Sequence, residues 1–131
     1  MDDLISLANE LGLTVVERAG RKLGGYNAST MSIRLDPGMT RRTARSVLAH
    51  EIAHHIFGDV PAAHGPVRAR QERRANEWAA LYLIQLEAFM EAERLRDGHT
   101  ASMAFDLNVT AELVEAFRRV VLRERDTAAS V

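Results

Sequence analysis

The chain of 131 residues contains no cysteine. Disulfides and thiolate ligands are thereby excluded, and any bound metal must be held by His, Asp or Glu. An excess of charge of either sign is also missing: the formal net charge is -1. This gives no electrostatic reason to expect a nucleic-acid or membrane partner, and it leaves the charge of a substrate open. No apolar run approaches bilayer length, and the start, Met1-Asp2-Asp3, is polar where a signal sequence would be basic and then apolar. We therefore expect a cytoplasmic protein. Internal repeats and low-complexity segments are absent as well. Lysine occurs once against sixteen arginines, a bias that reflects GC-rich coding and from which no function follows. What remains, 47% hydrophobic and 27% charged residues, describes one globular domain able to bury a real core.

Against that background stands His50-Glu51-Ile52-Ala53-His54, an HExxH sequence. On a helix, residues four apart lie one above the other, so both imidazoles can reach one ion while Glu51 sits beside them to work on water. The surroundings predict such a helix. Residues 35–40 read as a turn ending in a capping Thr40, residues 41–57 hold no Gly or Pro, and Gly58 and Pro61 end the run. Leu48, Ala49, Ile52, Ala53 and Ile56 form its apolar side, and His50, Glu51 and His54 share an adjacent sector that would face a cleft. His55, about 100° around the helix from His54, reads as structural. The plainer alternative is two ordinary helix histidines beside a solvated glutamate.

Elsewhere, Leu4, Leu7, Ala8 and Leu11 repeat at helical spacing after a capping Asp2 or Asp3. Residues 13–18 and 30–35 read as strands, with Gly24-Gly25 between them suited to a turn or a third short strand. An exposed edge of that sheet is suited to an extended peptide. After a loop over 58–66, a helical stretch runs from 67 towards 97 with a break near Gln85, closed by Gly98. A short helical piece at 102–105, a link at 108–110 and a helix over 111–125 follow, with Leu113, Val114, Phe117, Val120 and Val121 apolar; this spacing resembles a helix-turn-helix. The tail from Thr127 is expected to fray.

A catalytic zinc takes three protein ligands and leaves one position open, so two histidines are one ligand short. Glu72 and Glu77 are candidates, and five residues on a helix separate them by about 140°. Glu72 shares its side with Ala75, Asn76, Ala79, Leu83 and Leu86, a mostly small and apolar stripe on which a carboxylate needs a partner. Glu77 shares its side with Arg70, Arg73, Arg74, Leu81 and Ile84, where an exposed ion pair is the simpler reading. The geometry favours Glu72, with Asn76 one turn on to orient a ligand.

Residues 48–55, followed by Glu72-Arg73-Arg74-Ala75-Asn76-Glu77-Trp78-Ala79-Ala80-Leu81-Tyr82-Leu83-Ile84, resemble the ImmA/IrrE family of metallopeptidases over residues 1–100. The family's second motif reads approximately E-x-E-A-N-x-F-A-A-x-L-L-M-P, and its first Glu, taken as the third zinc ligand, matches Glu72. This chain departs from it at Arg74, Trp78 and Gln85. The resemblance implies a small zincin-like α+β domain: a short N-terminal sheet of two or three strands on a mainly helical core with the HExxH helix. Residues 1–100 would be that core and 101–131 a helix-turn-helix-like extension, within a single domain over 1–131. It also implies a protein substrate, a helix-turn-helix repressor of phage or mobile-element type.

The leading expectation is thus a zinc endopeptidase with a gluzincin-like site: His50, His54 and Glu72 on Zn2+, and Glu51 as the proton-transferring group. Tyr26, Tyr82, His64 and His99 are candidate donors to the oxyanion, though each alone is more commonly packing or surface. The runner-up is a non-catalytic module, stapled by zinc, that docks on a repressor or binds DNA through Arg118, Arg119, Arg123 and Arg125. Glu112, Glu115, Glu124 and Asp126 offset those charges, and a mixed-sign run is usually a solvated helix face. A zinc-dependent protein–protein switch without turnover is the third reading.

Overall fold

In the computed structural model, which describes residues 1–60 and 64–129, apolar spacing and backbone punctuation build an α+β domain. Helix α1 (Asp2–Glu10) buries Leu4 and Ala8 completely; Asp2 and Asp3 sit in its first turn, and neither caps it, since the N-cap position is Met1. Strands β1 (Thr14–Glu17), β2 (Gly24–Asn27) and β3 (Ser32–Leu35) follow. The Gly24-Gly25 region is therefore strand. The sheet is mixed, in the order β1-β3-β2, with β1 parallel and β2 antiparallel to β3. This order leaves β2 on the edge. Arg34 of β3 donates to the carbonyl oxygens of Arg18 and Lys22, tying down the chain that leads into β2.

Helix α2 (Arg41–Ile56) carries the HExxH residues. The Thr40 hydroxyl accepts from the Thr43 N–H at 3.2 Å, and Gly58, at φ +64°, supplies the left-handed turn just past the end. Leu48, Ala49, Ile52 and Ala53 are fully buried, whereas Ile56, expected on the same side, is 43% exposed because the helix ends there. Pro61, expected to help end it, lies outside the described residues.

The stretch expected from residue 67 towards 97 is two helices, α3 (Gly65–Leu83) and α4 (Leu86–Arg96). Pro66 falls in the first turn of α3, where its missing N–H has no helical partner to lose. Ile84 and Gln85 are both extended, which turns α4 away and leaves Leu86 47% exposed. Helices α5 (Thr100–Leu107) and α6 (Ala111–Ala129) complete the chain. Where fraying is expected from Thr127, helix α6 continues to Ala129 and the Thr127 hydroxyl donates to the Arg123 carbonyl at 2.9 Å; residues 130 and 131 of that tail lie outside the described residues.

Residues beyond 100 share the core of the rest. Met103, Val109, Leu113, Val114 and Phe117 belong to the same buried cluster as Leu48 and Ile52. The α5–α6 turn is also fastened to α2: Arg42 donates to the Val109 carbonyl at 3.1 Å, Arg45 to the Asn108 carbonyl, and the Thr110 N–H to the Ser46 hydroxyl at 3.1 Å. The start of α6 is thereby held beside the HExxH helix. Among the described residues no helix is long and apolar enough to cross a membrane.

Candidate metal centre

The site forms where α2, α3 and edge strand β2 meet around a cleft of about 430 Å³. Gly24 makes the close approach of β2 possible. A Cβ there would collide with Val47 Cγ1 and come within 3.2 Å of the Arg34 carbonyl oxygen. With hydrogen alone, the strand packs on α2 at Val47 and Glu51, so Lys22 to Tyr26 form one wall of the cleft and α3 another.

Three side chains converge in it. His50 Nε2 and His54 Nε2 are 3.1 Å apart, and the Glu72 carboxylate reaches both, Oε2 to His50 at 2.8 Å and Oε1 to His54 at 3.4 Å. Each imidazole is held from behind. His50 Nδ1 donates to Asn76 Oδ1 at 2.7 Å and His54 Nδ1 to Asp59 Oδ2 at 2.8 Å. Placing the protons on both Nδ1 atoms leaves both Nε2 lone pairs for the cleft. Asp59 is itself 8% exposed, and its other oxygen accepts from Arg74, whose guanidinium lies over the Phe57 ring. Arg68 Nε donates to Glu72 Oε1 at 3.0 Å from one turn away.

Glu51 is buried beside the histidines, 8% exposed. Burial pushes its carboxyl above the ordinary range, against the pull of the His50 and His54 charges. The Glu72 carboxyl lies far below that range, chiefly through the hydrogen bonds it accepts from His50 and His54 when those rings are protonated at Nε2 as well as Nδ1. Burial works against the His54 cation, but hydrogen bonds to Glu72 and Asp59 outweigh it and raise its pKa.

Two carboxylates compete for the third place. The donor atoms of His50, Glu51 and His54 all lie within 4.8 Å of one another, while among the described residues Glu72 is the carboxylate that spans both Nε2 atoms, at 2.8 and 3.4 Å. A tetrahedral ion with ligands at about 2.1 Å has ligand–ligand edges of about 3.4 Å. The spacings of 3.1, 2.8 and 3.4 Å among His50, His54 and Glu72, the last two to different carboxylate oxygens, lie at or up to about 0.6 Å below those edges. These residues therefore suit a small N/O-preferring cation.

Other residues singled out in the sequence have partners or places apart from the three converging side chains. Tyr26 lines the cleft, but its hydroxyl is hydrogen-bonded to His55 Nδ1 at 2.8 Å. Tyr82 stacks on Trp78, His64 precedes α3, and His99 caps α5. Glu77 corrects the expectation of an exposed pair with its own helix: it is 13% exposed and accepts from Arg119 and Arg123 of α6 at 3.3 and 2.6 Å. Arg118 donates to Thr100 Oγ1 and the Gly98 carbonyl oxygen. Three of the four arginines considered for DNA are thus engaged within the fold. Asp59 and Arg68 were missed. Their only sequence signals are an acid just past the glycine that ends α2 and a cation four residues before Glu72, and neither is specific.

No curated protein matches the chain. The family of peptidases described as the IrrE N-terminal-like domain matches residues 7–118, which takes in the sheet, the HExxH helix, Glu72 and the first part of α6. On that match and this geometry, the chain belongs to the IrrE N-terminal-like family of metallopeptidase type.

Proposed function

We propose that the protein is a zinc-dependent endopeptidase in which His50, His54 and Glu72 hold the ion and Glu51 is the general base. The observation that carries this is the convergence of both Nε2 atoms and the Glu72 carboxylate, 2.8 to 3.4 Å from one another, with Glu51 buried alongside. Zinc bound there would supply Lewis acidity, lowering the pKa of water and polarising the scissile carbonyl.

The chain's own residues do the rest. Glu51, with a carboxyl raised by burial, is suited to take a proton from the attacking water and pass it to the leaving amine. Asn76 and Asp59 fix the imidazole tautomers, and Arg68 orients Glu72. Strand β2, on the sheet edge and along one wall of the cleft, offers backbone groups to an extended substrate.

The substrate we propose is a helix-turn-helix transcriptional repressor of phage or mobile-element type, met in the cytoplasm. The test incubates the zinc-loaded protein with the repressor encoded beside its own gene and looks for a discrete fragment by mass spectrometry. The parent should cut it, and Glu51→Gln should bind it intact. Equal cleavage by Glu51→Gln would remove Glu51 from the mechanism; binding without cleavage by either protein would favour a switch without turnover.

A further inference from the structure

On the far side of α3 from the histidines lies a second groove, of about 450 Å³, walled by Arg70, Arg73, Arg74, Arg123, Glu77 and Gln71. Four guanidiniums face one carboxylate there, in a chain whose formal net charge is -1. Arg74 and Arg123 are already paired, with Asp59 and Glu77. Arg70 and Arg73 are exposed and make no ion pair or side-chain hydrogen bond among the described residues. Their charge is available to a partner.

Gln71 lines both this groove and the cleft that holds His50 and His54. Arg70, Arg73 and Arg74 lie within one turn of Glu72, so a chain leaving the cleft past Gln71 meets them after about the width of a helix, 10–12 Å. That distance is about three or four residues of extended polypeptide.

We infer that this groove is a docking site for an acidic segment of the polypeptide substrate, a short run of Asp or Glu several residues from the bond that is cut. The inference rests on the endopeptidase reading. Guanidiniums pair with carboxylates through two parallel hydrogen bonds, and clustered cations speed the encounter with an acidic partner. A nucleic-acid duplex fits less well, because it needs a longer row of cations, whereas on the exposed part of α6 Arg123 and Arg125 are interspersed with Glu112, Glu115, Glu124 and Asp126.

The test is fluorescence anisotropy with the full chain and three labelled probes at low ionic strength: a hexaglutamate peptide, a neutral Gly-Ser peptide of equal length and a short DNA duplex. The parent should bind hexaglutamate roughly tenfold or more tighter than the neutral peptide, and Arg70→Glu/Arg73→Glu should lose that preference. Both side chains are exposed, and circular dichroism checks that the variant is folded. Charge removal in Arg70→Gln/Arg73→Gln should give an intermediate loss. Equal binding of hexaglutamate by parent and variants, or no preference for it over the neutral peptide, overturns the inference. So does displacement of hexaglutamate by the duplex at lower concentration through the same arginines. The titration has no cleavage step, so failure of the endopeptidase reading shows separately, as a parent that never cuts the repressor.

Discussion

Replacing Asp59 with alanine should weaken zinc binding even though Asp59 does not face the ion's position. Its Oδ2 accepts from His54 Nδ1 at 2.8 Å, and its Oδ1 accepts from Arg74. Arg74, with a side chain 49% exposed, can turn to water when the carboxylate is removed. His54, at 11%, has far less freedom. It is left with a shielded N–H lacking its acceptor, which costs about 1–3 kcal/mol, and with no group fixing the tautomer that presents Nε2. Loss of a partner behind a metal-binding histidine typically weakens the site about 10- to 100-fold, or about 1.4–2.8 kcal/mol, in the same range. Asp59→Asn keeps an acceptor but loses the charge, so it should fall between parent and Asp59→Ala. Zinc affinity is read by competition with a chromophoric chelator, with circular dichroism to confirm folding. Arg74→Ala should lose much less than Asp59→Ala. If Asp59→Ala binds zinc as tightly as the parent, or Arg74→Ala loses as much, the hold on His54 is not what Asp59 contributes.

Two further predictions concern the frame around the site. Gly24→Ala forces a methyl into Val47 and towards the Arg34 carbonyl, so it should cost about 1–3 kcal/mol in denaturant unfolding and lower cleavage by moving β2; unfolding at the parent midpoint would contradict the packing. Glu77→Gln keeps one acceptor oxygen but removes the negative charge paired with Arg119 and Arg123, whose hydrogen bonds outweigh burial and hold the Glu77 carboxyl below its ordinary range. A lowered folded pKa stabilises above the ordinary carboxylate range and loses that contribution as pH falls through the folded value. The gap in thermal midpoint between parent and Glu77→Gln should therefore be largest near neutral pH and shrink on acidification, and a gap that widens would reverse the sign of the argument.

Local signals made the frame of this fold readable in the sequence. Helix α2 was legible because a capping threonine, an uninterrupted apolar stripe and a terminating glycine all agree. The angle between Glu72 and Glu77 separates them in sequence, and in the structure Glu72 is the one beside the histidines. What stayed hidden depends on contacts between distant residues. Glu77 looked exposed because its partners, Arg119 and Arg123, lie more than forty positions away. The close approach at Gly24 depends on Val47 of another element, and Asp59 acquires its place only when α2 ends and Arg74 closes over it. The α3–α4 break at Ile84 and Gln85 involves neither glycine nor proline, so its position is weakly marked in the chain.

Metal content per chain, measured by native mass spectrometry on zinc-loaded protein and its variants, tests the central assignment most directly. One zinc should be found in the parent, in Glu51→Gln and in Glu77→Ala, and none in His50→Ala, His54→Ala or Glu72→Ala, because three ligands are the minimum for a tight open site. Zinc retained in Glu72→Ala but lost from Glu51→Gln would contradict the assignment and make Glu51 the ligand.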